Sequence, residues 1–143
     1  MSKRKQYKPK HTSIPMIVNR EIHKNVETLN ENMMLLAFRF GHAQKMHFDQ
    51  LALMANMIEI AHQTKPSDES KVLAENLKSV ATKIKARYDK KQKLGISAEE
   101  MNTLKWCLSA YDDYWKRQTT TLYNLCVAEV KEFYAELEEE RAA

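Results

Sequence analysis

Residues 96–115 read ISAEEMNTLKWCLSAYDDYW, and this stretch carries the clearest helix signal in the chain. Ser97 and Glu100 have the spacing of a capping box, in which each side chain accepts a hydrogen bond from the other residue's backbone N–H. Ile96 and Met101 stand where a hydrophobic staple would pack across the start of the helix. Apolar residues then recur every three or four positions, at Leu104, Leu108, Tyr111 and Trp115. The spacing therefore predicts a helix that begins next to Ser97.

The apolar pattern resumes beyond Trp115 and continues almost to the end of the chain. Its later members are Leu122, Cys126, Val130, Phe133 and Leu137. No glycine or proline interrupts residues 96–143, so the pattern fits one helix of roughly 40 residues or two helices joined near 119–121. Three consecutive threonines weaken a helix only mildly, because β-branching costs little helix propensity. We therefore predict one long C-terminal helix, bent near Thr120.

Three more helices are predicted upstream. The first spans 19–40 and ends at Gly41, which suits a left-handed helix end. Its apolar residues follow steps of 4, 3, 4, 3 and 4, at Ile22, Val26, Leu29, Met33, Leu36 and Phe40, and predict its core face. The second spans 47–63 and is apolar enough to be the most buried helix. The third spans 69–93, starts after Ser67 and ends at Gly95. Its predicted core residues are Leu73, Leu77, Val80, Ile84 and Tyr88.

Composition limits the fold class. The chain has 143 residues but only two glycines and three prolines, too few for the turns of a multi-stranded sheet. A chain of this length can bury a core as a single domain. We predict an all-α protein with about four helices in a compact bundle, a long C-terminal helix and an extended basic N-terminal arm. The arm comprises residues 1–18, and residues 19–143 form a single helical domain.

The sequence predicts a cytoplasmic protein. No apolar run approaches the roughly 18 residues that a membrane span needs, and no apolar segment follows the basic start as in a signal peptide. Cys107 and Cys126 are the only cysteines, and both fall within helical patterns, which is typical of small apolar side chains in a reducing compartment. On one straight helix their separation of about 28 Å would exclude a disulfide.

Motifs that would carry catalysis are weak. Glu59 and His62 have the Glu-x-x-His spacing of di-iron bundles, but such sites need a second copy that the chain lacks. Asp112 and Asp113 are adjacent, so on a helix they point about 100° apart and do not converge on one atom. Cys107 has no histidine nearby in the sequence, and no glycine-rich phosphate loop occurs. We predict no enzyme activity, no catalytic residue, no metal site and no cofactor.

Basic residues concentrate at the start and in the middle of the chain. An arm with five cations and an aromatic residue can follow a phosphate backbone, with the aromatic ring free to stack on a base. A solubilising tail is the competing interpretation, and the acidic stretch 129–141 could neutralise the basic surface. The nucleic-acid-binding candidates are Lys3, Arg4, Lys5, Tyr7, Lys8 and Lys10 in the arm and Lys83, Arg87, Lys90 and Lys91 in the third helix.

Aromatic residues concentrate in the fourth helical pattern. Trp106 and Tyr114 fall off its core stripe, and exposed Trp and Tyr are enriched at protein interfaces. Such residues can also simply cover a neighbouring helix. The partner-binding candidates are Trp106, Tyr114 and Trp115.

The chain resembles a diffuse group of small all-helical phage-encoded proteins of unassigned function. These open with a basic arm of the form Lys-Arg-Lys-x-Tyr-x-Pro-Lys, matched here by Lys3-Arg4-Lys5, Tyr7, Pro9 and Lys10. The resemblance implies a phage or prophage origin and a non-enzymatic role, and it brings no catalytic residues. We therefore expect a helical regulatory protein that binds a host or phage macromolecular complex, for example as an inhibitor of host defence or transcription. The alternatives are direct nucleic-acid binding, and a dimeric assembly protein that pairs through Val130, Phe133 and Leu137.

Overall fold

The computed structural model describes residues 31–142, and this part of the chain is entirely helical, without a strand. The all-α prediction is therefore confirmed. Within these residues there are five helices instead of the predicted about four, because the C-terminal pattern forms two helices. They are α1 (Glu31–Arg39), α2 (Lys45–Thr64), α3 (Asp68–Lys91), α4 (Ala98–Lys116) and α5 (Thr120–Ala142). The basic arm and the predicted helical segment 19–30 lie outside the described residues.

Helix α2 is the centre of the bundle. It packs against α1, α3 and α5, while α4 packs on α3 and α1. Because α2 has neighbours on several sides, its buried residues run almost without a break from Phe48 to Ala61. The prediction that this helix is the most buried is confirmed.

Helix α3 begins as predicted and ends earlier than predicted. The Ser67 hydroxyl accepts a hydrogen bond from the Ser70 backbone N–H at 3.1 Å and caps the helix. At the other end, Gln92 adopts a left-handed backbone (φ 59°) and its N–H donates to the Tyr88 carbonyl at 2.7 Å. Gly95 therefore does not end the helix, since a non-glycine residue already takes the left-handed conformation three positions before it.

The single long C-terminal helix is a wrong prediction. Helix α4 ends at Lys116. Beyond it, the Arg117 and Gln118 N–H groups donate to the carbonyls of Tyr114 and Trp115. The Thr119 hydroxyl then accepts a hydrogen bond from the Leu122 N–H at 3.1 Å. Threonine is a good N-cap, so the threonine run starts a new helix instead of merely weakening one.

Consequently Cys107 lies in α4 and Cys126 in α5. The separation of about 28 Å, calculated for one straight helix, therefore does not apply to them. Both are free thiols buried in the core.

Helix α1 packs on the body through a different face from the predicted one. Met34 and Phe38 are buried, whereas Met33, Leu36 and Phe40 are exposed. The predicted core stripe of this helix is therefore wrong over its described part. Both faces of α1 are apolar, so periodicity alone could not tell which face meets the bundle. Gly41 ends the helix with a positive φ of 76°, as predicted.

A buried hydrogen bond joins α2 to α5. The Asn56 side-chain amide donates to the Tyr134 hydroxyl at 2.6 Å, and both side chains are almost fully buried. We expect Tyr134→Phe to lower the free energy of unfolding by about 1–2 kcal/mol, since a buried amide loses a hydrogen-bond partner. Urea unfolding followed by circular dichroism measures this. Tyr88→Phe, at a half-buried tyrosine, is the control and should change the value by less than about 0.5 kcal/mol. Equal effects of the two variants would contradict the role of the Asn56 contact.

Candidate functional site

A shallow groove runs between α3 and α4. It has a volume of about 410 Å³ and is lined by Val72, Asn76, Asn102, Thr103 and Trp106. Trp106 is 50 % exposed and Val72 is 45 % exposed. The groove therefore presents one large aromatic side chain and one branched aliphatic side chain to solvent.

Local hydrogen bonds fix part of the polar edge of this groove. The Asn76 amide donates to the Val72 carbonyl at 2.8 Å, and the Thr103 hydroxyl donates to the Glu99 carbonyl at 3.2 Å. Both contacts stay within one helix. The groove can consequently take an apolar group at its centre and hydrogen-bonding groups at its edge.

The other predicted aromatic residues form a packed cluster at the junction of α4 and α5. The Trp115 ring meets Tyr114 at 5.0 Å, Tyr123 at 5.0 Å and Tyr111 at 6.2 Å between centroids, always edge to face. Edge-to-face contacts at these distances are the favourable arrangement for aromatic pairs. The cluster therefore holds the start of α5 against the end of α4.

Two of the three partner-binding candidates do not form an exposed patch. Tyr114 is only 2 % exposed and belongs to the core, and burial raises the pKa of its hydroxyl. Trp115 is only partly exposed and contacts three tyrosines. Tyr114 falls off the predicted stripe yet is buried because α4 meets helices on more than one side. Of the three, only Trp106 stands on the surface as an exposed aromatic side chain.

Among the nucleic-acid-binding candidates, Arg87 is already engaged. Its guanidinium contacts both carboxylate oxygens of Glu100, at 3.1 and 2.8 Å, and donates to the Gly95 carbonyl at 2.7 Å. Burial raises the pKa of Glu100, but the hydrogen bonds from Arg87 and the Ser97 N–H, with the charges of Arg87 and Lys83, outweigh it and hold the pKa below its ordinary value. Arg87 thus binds α3 to the start of α4 and is a poor candidate for a phosphate contact.

Other cations of α3 are also paired. Lys78 contacts Glu59 of α2 at 2.6 Å, and Lys85 contacts Asp89 at 3.0 Å. By contrast, Lys83, Lys90 and Lys91 are exposed and make no ion pair with another described residue. The basic surface of α3 is therefore smaller than the sequence indicates. Lys3, Arg4, Lys5, Tyr7, Lys8 and Lys10 lie outside the described residues.

The Glu59 and His62 pair has a structural role. Glu59 accepts from Lys78, and the His62 Nδ1 lies 2.7 Å from the Ser70 hydroxyl. These contacts join α2 to α3. Within residues 31–142 no group of three or more His, Cys, Asp or Glu side chains could hold a metal ion.

The two thiols are poorly suited to nucleophilic chemistry. Burial raises the pKa of Cys107 to about 12 and that of Cys126 to about 12, the latter with a contribution from Glu129. Because the thiolate is the nucleophile, both groups stay in their unreactive form at neutral pH.

A second groove of about 480 Å³ lies between α1 and α4. Its charged lining residues are Glu31, Lys105 and Asp112. Burial raises the pKa of the Glu31 carboxyl, and the charge of Asp112 raises it further. Asp112 itself contacts Lys116 at 3.2 Å. Two carboxylates and one ammonium group line this groove, so it has no strong net charge to select a ligand.

No family model matches this sequence, and no curated protein or solved structure matches the chain. None of the helices in the described part of the chain is both long and apolar enough to cross a membrane.

Sequence reasoning found Trp106 but missed the rest of its groove. Val72 lies one position before the core residue Leu73, and nothing in the sequence indicates that Asn102 lies near it. The groove could have been inferred from Val72 and Trp106, because both are large apolar residues outside the core stripes of their helices. Nothing in the sequence indicates that Glu31 lies near Asp112, since 81 positions separate them in the chain.

Proposed function

We propose that this protein is a non-enzymatic helical interaction protein that binds a macromolecular complex through the groove around Trp106. The observation that carries the proposal is the half-exposed Trp106 ring beside Val72, at a groove between two packed helices. Tryptophan is among the residues enriched at interface hot spots. The resemblance to phage-encoded helical proteins makes a host or phage complex the expected target.

The chemistry of the groove defines the kind of partner. Trp106 and Val72 favour an aliphatic or aromatic side chain, and the amides of Asn76 and Asn102 favour backbone N–H and C=O groups beside it. A protein segment with one apolar anchor meets both requirements. A nucleic acid would gain only stacking on Trp106 there, since no cation lines this groove.

Direct nucleic-acid binding is the second candidate, and the exposed Lys83, Lys90 and Lys91 favour it. These three cations lie along α3 without ion-pair partners among the described residues. Such binding would be mostly independent of sequence, and its affinity would fall steeply with salt.

The proposal is tested by capture from a bacterial lysate treated with nuclease, with the tagged full chain as bait. We expect the wild type to retain one stoichiometric protein, and Trp106→Ala to retain at least about 30-fold less, as for a hot spot of about 2 kcal/mol. Leu125→Ala is the matched control, because Leu125 is an exposed apolar side chain on α5 and should leave capture unchanged.

Equal capture by wild type and Trp106→Ala would overturn the docking role of the groove. A set of proteins that disappears with nuclease would instead favour the second candidate. In that case Lys90→Ala and Lys91→Ala should weaken retention, and Trp106→Ala should not.

A further inference from the structure

Helix α2 begins with a hydrogen bond from the backbone to a histidine ring. The Gln44 N–H donates to the His47 Nδ1 atom at 2.8 Å. His47 is the third residue of the helix, the position from which the side-chain oxygen of a glutamate or glutamine usually closes a capping box. The imidazole nitrogen therefore supplies the acceptor that an oxygen supplies in most capping boxes.

The donor in this contact decides the protonation state of the ring. A backbone N–H can only donate, so the His47 Nδ1 atom must carry a lone pair, and the ring must be neutral with its proton on Nε2. The contact of His62 with Ser70 differs, because the Ser70 hydroxyl, 2.7 Å from the His62 Nδ1, can either donate or accept. Protonation would preserve the His62 contact, whereas it would leave the Gln44 N–H facing a second donor.

The surroundings of His47 oppose a positive charge on its ring. Burial lowers the pKa of His47, and the positive end of the α2 dipole also disfavours a cation in the first turn. The charged and titratable groups on the elements around the start of α2 are Arg39 of α1, His42 of the connection, Lys45 and Asp49 of α2, Lys90 and Lys91 of α3, and Glu138 and Arg141 of α5. Within residues 31–142 none of them forms an ion pair with His47, so no carboxylate compensates a charge on the ring.

The same stretch of chain connects α2 to α1. Gly41 ends α1 with its positive φ, and the His42 N–H donates to the Ala37 carbonyl at 2.8 Å. Residues 40–44 alone separate the two helices. Loss of the hydrogen bond from Gln44 would therefore loosen the first turn of α2 and the connection to α1 together.

We propose that His47 is an acid-sensitive switch at the connection between α1 and α2. Its neutral ring closes the start of α2, and a proton on Nδ1 breaks the Gln44 contact and frays the first turn. The folded chain binds this proton less tightly than the unfolded chain, so the stabilisation is complete above about pH 6.5 and declines as the pH falls below it. The switch is independent of the Trp106 groove, which lies between α3 and α4.

Hydrogen exchange of the backbone amides, measured by NMR on the full chain from about pH 7.5 to about pH 5, tests the proposal. We expect the protection factor of the Gln44 amide, which already corrects for the intrinsic effect of pH on exchange, to fall about fivefold on acidification, as for a lost helix cap. His47→Gln should abolish this fall, because glutamine supplies an oxygen acceptor that does not titrate. His42→Gln, at an exposed histidine of the connection, should behave like the wild type.

Nitrogen NMR of the imidazole rings gives a second readout. At neutral pH we expect the His47 ring in the tautomer with its proton on Nε2, and thermal unfolding at the same pH excludes a folding defect in either variant. A proton on the His47 Nδ1 at neutral pH would overturn the proposal, as would a wild-type protection factor that does not change on acidification. An equal fall in His47→Gln, or a fall that His42→Gln abolishes, would assign the response to another group and overturn it too.

Discussion

Trp115→Ala is expected to lower the free energy of unfolding by about 3 kcal/mol. The substitution removes three edge-to-face ring contacts at once and opens a cavity at the junction of α4 and α5. The expected value is at the lower end for tryptophan truncation, because Trp115 keeps some exposure to solvent. Chemical unfolding of the purified chain measures it.

Trp106→Ala is the matched comparison, since it removes the same side chain from the same helix. Trp106 is half exposed, so its removal should cost less than about 1 kcal/mol. The two tryptophans thus separate stability from the proposed binding: Trp115 packs in the fold, and Trp106 is the residue proposed to contact a partner. A loss of stability from Trp106→Ala as large as that from Trp115→Ala would show that the ring is a core residue and would contradict the proposed docking surface.

Glu100→Gln is expected to lower the free energy of unfolding by about 2–3 kcal/mol at neutral pH. The carboxylate is a buried member of the capping box and accepts two hydrogen bonds from Arg87. Breaking a fully buried ion pair costs about 3–5 kcal/mol. We expect less here because the Arg87 side chain remains 33 % exposed. Asp89→Asn, which breaks the exposed Lys85 pair, is the control and should cost less than about 0.5 kcal/mol.

The effect of Glu100→Gln should depend on pH in a definite direction. The folded-state pKa of Glu100 lies below its ordinary value, so the folded chain holds this proton less tightly than the unfolded chain. Its stabilisation is therefore complete above the ordinary carboxyl pKa and is lost as the pH falls through the folded value. The difference in stability between wild type and Glu100→Gln should shrink below about pH 4. A difference that grows on acidification would contradict the assigned ion pair.

Local signals in the sequence predicted local structure well. The Ser97 and Glu100 capping box forms as expected, because its hydrogen bonds join residues three positions apart. Ser67 caps α3 for the same reason, and the dense apolar pattern of α2 correctly predicted that it is the most buried helix. The two caps depend on neighbours in the chain and not on the arrangement of helices.

Features that depend on packing could not be read from the chain. Arg87 looks like a free cation until α4 brings Glu100 against it, 13 positions away. Tyr114 looks like a surface aromatic until neighbouring helices cover it. Likewise, the threonines at 119–121 lower helix propensity only slightly. That Thr119 caps α5 is evident only from the structure, where its hydroxyl accepts a hydrogen bond from the Leu122 N–H.

The central claim is that Trp106 contacts a partner while Trp115 holds the fold. The most direct measurement is fluorine NMR of the chain labelled with 5-fluorotryptophan, whose two signals are assigned with Trp106→Phe. The captured partner carries no fluorine and is silent. On its addition, the Trp106 signal should shift and lose its sensitivity to exchange of H₂O for D₂O, while the Trp115 signal stays in place. A partner that binds stoichiometrically and leaves the Trp106 signal unchanged would contradict the account.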